Sequence, residues 1–229
     1  YEMPQFRSNI EPIVKSGGIT LTREGKTSFA KLHRATMDVA EAVKGAPIIL
    51  IAMVSLAHQT IAELAAPHLE NGQTIVLFAA QLGSIEFKNV LKKKRPGLDV
   101  KIVETLSAPY AARRDVMEKA EVVIRAPMLN LGLAAIPTKY TEQVMKEIKQ
   151  FYPTTFFPAG NVAEVGLCNP NILIHPTPVL LMVSMIEKGD SYIYRAFTPS
   201  VLKVVKSAFD ERDAILKKLG LRDLYPYEN

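Results

Sequence analysis

The sequence predicts a doubly wound α/β sheet followed by an all-α domain, and three observations carry that reading. Four short, β-branched apolar runs, at residues 47–54, 74–78, 100–104 and 121–125, alternate with stretches of helical spacing. No strand pattern is read after Arg125, whereas helical patterns continue to residue 219. From about Phe156 the texture also changes, with Asn169-Pro170 and His175-Pro176-Thr177-Pro178 punctuating helix-rich sequence. An α/β domain over residues 1–155 and an all-α domain over residues 156–229 are therefore expected, with the boundary near residues 153–160.

Each element has a local reason. Residues 38–44 read as a short helix stopped by Gly45, a natural C-cap. The continuous run at 47–54 suits a strand buried on both faces, as in a parallel sheet. Residues 58–69 are amphipathic, with Ile61, Leu64, Ala65 and Leu69 assigned to one face, and Asn71-Gly72 makes the next turn. Helices are expected at residues 85–94, 141–150 and 179–187. Thr198-Pro199 starts a last helix at residues 201–219, with Thr198 as N-cap and Pro199 in the first turn, and Gly220 ends it.

Composition limits the function classes. The 229 residues are 48% hydrophobic and 22% charged, so a real core is expected. The net charge of +5 contains one dense basic run, Lys92-Lys93-Lys94-Arg95, with no aromatics interleaved for base stacking. That run reads as a solvated helix end, which argues against nucleic acid and suits anionic small molecules instead. A single cysteine, Cys168, permits no internal disulfide and fits a buried thiol in a reducing compartment. No apolar run approaches the roughly 18 residues that span a bilayer, and the first residues resemble no signal peptide. A soluble, cytoplasmic protein without a membrane partner is expected.

The glycine-rich turn that places a pyrophosphate on a helix N-terminus does not occur, since Gly17-Gly18 opens no helix. The chain begins where a nucleotide-binding sheet would end its second strand, about one βαβ unit of 30 residues in. Glu2 stands where an acidic residue would hold ribose hydroxyls, and a surface glutamate at a terminus is the plainer account of it.

Four histidines offer proton transfer near neutral pH. His33 lies in a polar segment and His68 at a helix end, while His58 follows a strand near the ligand-binding edge of the sheet. His175 sits with Asn169 and Asn171 as a polar island in apolar sequence, either as a satisfied core histidine or as an acid/base. The histidines are too scattered for a metal site.

The segment Asn169-Pro170-Asn171-Ile172-Leu173-Ile174-His175-Pro176-Thr177-Pro178, with Gly189, Tyr192 to Arg195, Thr198-Pro199-Ser200-Val201 and Asp210-Glu211-Arg212, resembles the helical domain of opine dehydrogenases. Residues 38–58, Gln81, Gly83, Glu86-Phe87, Glu104-Thr105 and Arg113 continue the resemblance upstream in the same order. It implies a Rossmann-like domain lacking its first βαβ unit, joined to an all-α domain. The implied activity is NAD(P)H-dependent reductive condensation of an amino acid with a 2-oxo acid. His175 would be the acid/base, and Gln81, Glu104 and Asn171 would face substrate. Glu2, Met53, Val54 and Ala80 would border the cofactor, with Glu2 favouring NAD over NADP. The sequence departs from the family's usual proline and glycine at Ala52 to Ser55 and Ala79-Ala80. Asp210 and Arg212 read as an exposed charged pair within their helix. The alternatives are a related hydroxy-acid or ketopantoate-type dehydrogenase, against which the lack of a lysine between residues 150 and 187 counts, and a non-catalytic remnant that binds a metabolite. Basic, apolar C-terminal helices would suit a homodimer.

Overall fold

A computed structural model describes residues 1–189 and 192–225. In chain order the elements are α1 (Arg7–Ser16), β1 (Gly18–Arg23), β2 (Lys26–Lys31), α2 (Val39–Val43), β3 (Ile48–Ile51), α3 (His58–Ala65), β4 (Thr74–Phe78), α4 (Gly83–Lys94) and β5 (Lys101–Thr105). There follow β6 (Tyr110–Arg113), β7 (Glu121–Pro127), β8 (Asn130–Ile136), α5 (Thr141–Ile148) and β9 (Thr155–Pro158). The helical remainder is α6 (Val162–Cys168), α7 (Asn171–Ile174), α8 (Pro176–Leu181), α9 (Val183–Glu187) and α10 (Pro199–Leu219).

The main sheet has the order β3-β4-β5-β8-β9. Its first three strands are parallel, with Ile48 opposite Thr74 and Thr74 opposite Lys101. β3, expected to be buried on both faces, is instead an edge strand with Leu50 exposed, because among the described residues no strand pairs on its outer side. β4 is buried throughout, and alternate residues serve different layers. Ile75 and Leu77 pack with Ile61, Ala62, Phe87 and Leu91 of α3 and α4, whereas Val76 and Phe78 join Val103, Val144 and Ile148 on the α5 side. This two-sided burial, with helices beyond the sheet, is the expected α/β class.

The sheet differs from expectation at its fourth strand. β8, Asn-Leu-Gly-Leu-Ala-Ala-Ile, occupies that place and runs antiparallel to β5, and β9 then pairs parallel with β8. Both lie beyond Arg125, where no strand was read, because glycine and alanine give β8 little intrinsic strand signal. Burial on both faces overrides that weakness. The run at residues 121–127 is a strand, but it belongs to a second sheet of order β2-β1-β7-β6. Its β1–β2 hairpin and β6 are further strands without a counterpart in the sequence reading, although Ile19-Thr20-Leu21-Thr22 of β1 does alternate; β2 and β6 are largely exposed and carry little apolar signal.

The helical signals were more literal. Asp38 caps α2 through the N–H of Ala40, and Gly45, Gly72 and Gly220 take the left-handed backbone that their turns demand. Thr198 caps α10 and Pro199 occupies its first turn. Residues 179–187 are not one helix, because α8 ends at Leu181 and α9 starts at Val183. Leu64 departs from its assigned face and is exposed, while Ile61, Ala65 and Leu69 are buried. The Lys92–Lys94 run ends α4 as expected, and Arg95 donates to the carbonyls of Ala66 and Pro67.

Val162, Val165, Cys168 and Leu216 of the helical region share a core with Leu106 and with Ala134 of β8, which joins the helices to the sheet. Glu164 of α6 is buried there and accepts from the Arg222 side chain and from the N–H groups of Gly160 and Arg222. Burial raises the pKa of its carboxyl, but Arg222 and these donors outweigh that and hold it below the usual carboxylate range. Arg212 is only 5% exposed and pairs with Asp213 and Asp223, while Asp210 pairs with Lys206. The exposed Asp210–Arg212 pair is thus corrected: two helical steps, which turn the side chain to the far face of α10, separate a solvent-facing aspartate from an inward arginine. Cys168 is a buried free thiol.

Candidate active site

Ligands of open α/β sheets bind beyond the carboxyl ends of the strands. At that edge β3 runs into residues 52–57 and β4 into residues 79–82, and these two loops open α3 and α4. Val54 is 72% exposed and Leu56 95% exposed, an apolar rim uncommon at a helix start and suited to a flat ring. Ser55 donates to the Gln81 side-chain oxygen at 3.0 Å, so the two loops meet through polar side chains.

The second loop is unusual in its backbone. Ala79, Gln81 and Leu82 have φ of 52°, 53° and 73°, a left-handed trace without glycine. Such residues each cost about 1–3 kcal/mol and persist where their surroundings over-determine them. Here the surroundings are visible. Glu104, at the end of β5, accepts from the N–H of Leu82 at 2.7 Å, the N–H of Ser84 at 3.3 Å and the Ser84 hydroxyl. On its other side Leu82 lies so close to Gly166 of α6 that a Cβ there would stand 2.5 Å from Leu82 Cδ2 and 2.9 Å from its N.

His58 locks the same corner. Its ring is fully buried at the start of α3, and neither nitrogen has a hydrogen bond of normal geometry. Burial pulls its pKa below the usual histidine value, against weaker pulls from Glu86 and the Met53 backbone. A Cβ on Gly83 would stand 2.1 Å from His58 Nδ1, which makes glycine obligatory at the start of α4. His58 is therefore a packing residue at a helix N-terminus.

His175 lies at the junction of α7 and α8, half-buried, with Nε2 3.2 Å from Asn171 Oδ1. Asn169 is buried and its Oδ1 accepts from the Asn171 N–H, so the polar island of the sequence is an ordered chain of contacts. Pro170 and Pro176 shape the short helices around it by fixing φ at their starts.

The expected site residues thus fall into two pairs and an outlying group. Gln81 lies on the loop that Glu104 of β5 holds through Leu82 and Ser84, and Asn171 and His175 lie within one helical turn. The link between the pairs is Leu82 against Gly166 in α6, the helix that leads through Asn169 into α7. Glu104 and Ala80 are both completely buried, which separates them from any bound molecule: Glu104 spends its oxygens on the loop, and Ala80 packs in the sheet core. Met53 and Val54 line a cavity of about 550 Å³ along β3, together with Glu2, Val39 and Ile61. Glu2 accepts from the Met3 N–H and, at 3.4 Å, from Asn9 Nδ2, which leaves acceptor capacity on Oε2. Ser55 and Gly166 were not anticipated; a lone serine or glycine has no sequence signal for a partner in another element. Among the described residues no cluster of histidine, cysteine or carboxylate could hold a metal, and no helix is long and apolar enough to cross a membrane.

The sequence profile of the NAD/NADP octopine/nopaline dehydrogenase alpha-helical domain matches residues 158–229. An opine dehydrogenase of Arthrobacter sp. (strain 1C) is 29% identical over 215 residues, which cover 93% of this chain and 59% of that protein. The chain thus spans about three fifths of that relative's length. Among solved structures, apo yersinopine dehydrogenase superposes with a TM-score of 0.75 at 14% identity, covering 98% of this chain and 58% of that one. Octopine dehydrogenase with NADH and L-arginine gives 0.69 at 14% identity, covering 93% and 54%. In fold, in the helical segment and along most of its sequence, the chain is similar to the opine dehydrogenases.

Proposed function

We propose that this chain supplies the cofactor edge and the acid/base of an opine-type dehydrogenase, which condenses an amino acid with a 2-oxo acid. The observation that carries the reading is His175 held by Asn171, on a region matching the octopine/nopaline alpha-helical domain. The sheet through β9, which runs past the expected boundary to Pro158, acts as the dinucleotide-side domain and the helices from α6 onward as the substrate-side domain.

The chain's residues fit a nicotinamide dinucleotide. Glu2 retains acceptor capacity for ribose hydroxyls, and Met53 and Val54 offer apolar surface in the same cavity. A glutamate repels a 2′-phosphate, so NAD is preferred over NADP. When bound, the cofactor supplies the hydride that reduces the C=N bond between the two substrates.

His175 handles the proton. Its Nε2–H donates to Asn171 Oδ1, which fixes the tautomer and leaves Nδ1 to exchange a proton with the oxygen or nitrogen of the condensing carbon. Asn171 acts on the ring and reaches substrate only through it. Gln81, exposed on its loop and oriented by Ser55, presents an amide to a carboxylate or amine of the substrate. The similarity of the chain to opine dehydrogenases also favours this substrate pair over a hydroxy acid.

The test is NADH-dependent turnover of amino-acid and 2-oxo-acid pairs by the native protein, with NADH titrated by fluorescence. His175→Ala is expected to remove at least about a hundredfold of turnover, the usual worth of a general acid/base, with NADH binding kept. Failure to bind either NADH or NADPH would overturn the reading.

A further inference from the structure

We propose that Glu104 is a positioning residue of this site: its buried carboxylate holds loop 79–84 in a left-handed trace and thereby presents Gln81 to substrate from the other side of the loop. The inference deepens the dehydrogenase reading and rests on it for the identity of the substrate, but not for the geometry.

Three observations converge on Glu104. It is fully buried, so it is closed to any molecule in the cleft. Its oxygens are divided over the loop, Oε1 taking the Leu82 N–H and Oε2 the Ser84 N–H and hydroxyl. In this loop the donor residue Leu82 and, ahead of it, Ala79 and Gln81 have positive φ. Backbone of this kind relaxes towards commoner conformations unless something holds it, and an acceptor for two successive-turn amides at a helix start is such a hold. The clamp is completed by Gly166, whose lack of a side chain lets α6 press on Leu82. Gln81 projects from this clamped segment and meets Ser55 of the neighbouring loop. Any change in the trace moves Gln81 and breaks that contact together.

A carboxylate is needed rather than any polar group. Burial raises the pKa of the Glu104 carboxyl, while the Ser84 hydroxyl and the Leu82 and Ser84 amides pull it down. In its ionised form it is acceptor-only, with capacity for all three donors. In Glu104→Gln one oxygen becomes an NH₂ donor, which must face either the Leu82 N–H or the Ser84 donors. In Glu104→Asp the chain is one methylene short and cannot keep both contacts.

The experiment combines amide hydrogen exchange with steady-state kinetics on the native protein. Glu104→Gln is expected to speed exchange of the Leu82 and Ser84 amides at least tenfold while leaving Leu77 in β4 and Leu91 in α4 unchanged. It should lower kcat/KM at least tenfold, and combining it with Gln81→Ala should add nothing to the larger single loss. Ser84→Ala, which keeps the carboxylate, is a milder variant that reports the same direction if Glu104→Gln proves too unstable. Unchanged loop exchange in both variants overturns the proposal, as does a Glu104 loss that multiplies with that of Gln81→Ala. A raised KM for amino acid with unchanged exchange would instead make Glu104 a substrate ligand. Should the native protein turn over no amino-acid and 2-oxo-acid pair, the functional reading fails, and the exchange data still decide the role of Glu104.

Discussion

The contact between His58 and Gly83 allows a sharp test of how the nucleotide-side loops are built. Gly83→Ala places a methyl 2.1 Å from Nδ1, 2.8 Å from Cε1 and 3.1 Å from Cγ of His58. Ordinary contact is about 3.5–4.0 Å, so the ring or the start of α4 must move by roughly 1.5 Å. The ring has no open space to enter, being fully buried between α3 and α4. Overpacking of this kind costs about 1–3 kcal/mol, and the rigidity on both sides places it near 3. His58→Ala alone is expected to cost about 2 kcal/mol, a packing loss with no well-formed hydrogen bond to forfeit. In that background Gly83→Ala meets no ring and should be neutral, or stabilising by up to about 1 kcal/mol through helix propensity. The double-mutant cycle should therefore show a coupling of about 3 kcal/mol, read from urea unfolding at constant m. An equal cost of Gly83→Ala with and without His58 would refute the reasoning.

Three further outcomes follow from the same structure. Glu164→Gln should destabilise at neutral pH by about 2 kcal/mol, discounted because Arg222 is more than half exposed. Since the folded pKa of Glu164 is depressed, its contribution is present above the ordinary carboxylate pKa and is lost as pH falls through the folded value, so native and variant stabilities should converge in acid. Gly166→Ala should lower kcat/KM by disturbing Leu82 and the Gln81 loop, with a stability loss of about 1–3 kcal/mol seen in thermal melts. Asn171→Ala should shift the pH–rate profile of turnover by freeing the His175 tautomer, whereas an unchanged profile would remove Asn171 from that role.

Much of this was written locally in the chain. Asp38, Thr198, Pro199, Gly45, Gly72 and Gly220 act through their own backbone or a neighbour's within one turn, so their roles are legible without the fold. The run at β4 was legible because double-sided burial leaves continuous apolar sequence, whereas the equally apolar run at β3, expected to be buried on both faces, forms a half-open edge of the sheet with Leu50 43% exposed. The polar island at Asn169, Asn171 and His175 was visible for the same reason in reverse: polar groups amid apolar sequence need partners, and these find one another within a few residues.

What depended on distant parts of the chain was not legible. β8 is a strand because it is buried between β5 and β9, against the preference of its glycine and alanines. Arg212 is inward because Asp223 waits outside its helix. Glu104 was expected to face substrate, a role that its residue type permits but its surroundings do not, since two amides and a hydroxyl from a loop 20 or more residues away absorb its charge. Sequence alone determined the caps and stops of several helices, the runs that become β3, β4 and β5, and which histidine sits among amides. Only the tertiary structure decided which carboxylate is open to a ligand and which is spent on the fold, because burial and hydrogen-bond partners are properties of neighbours in space.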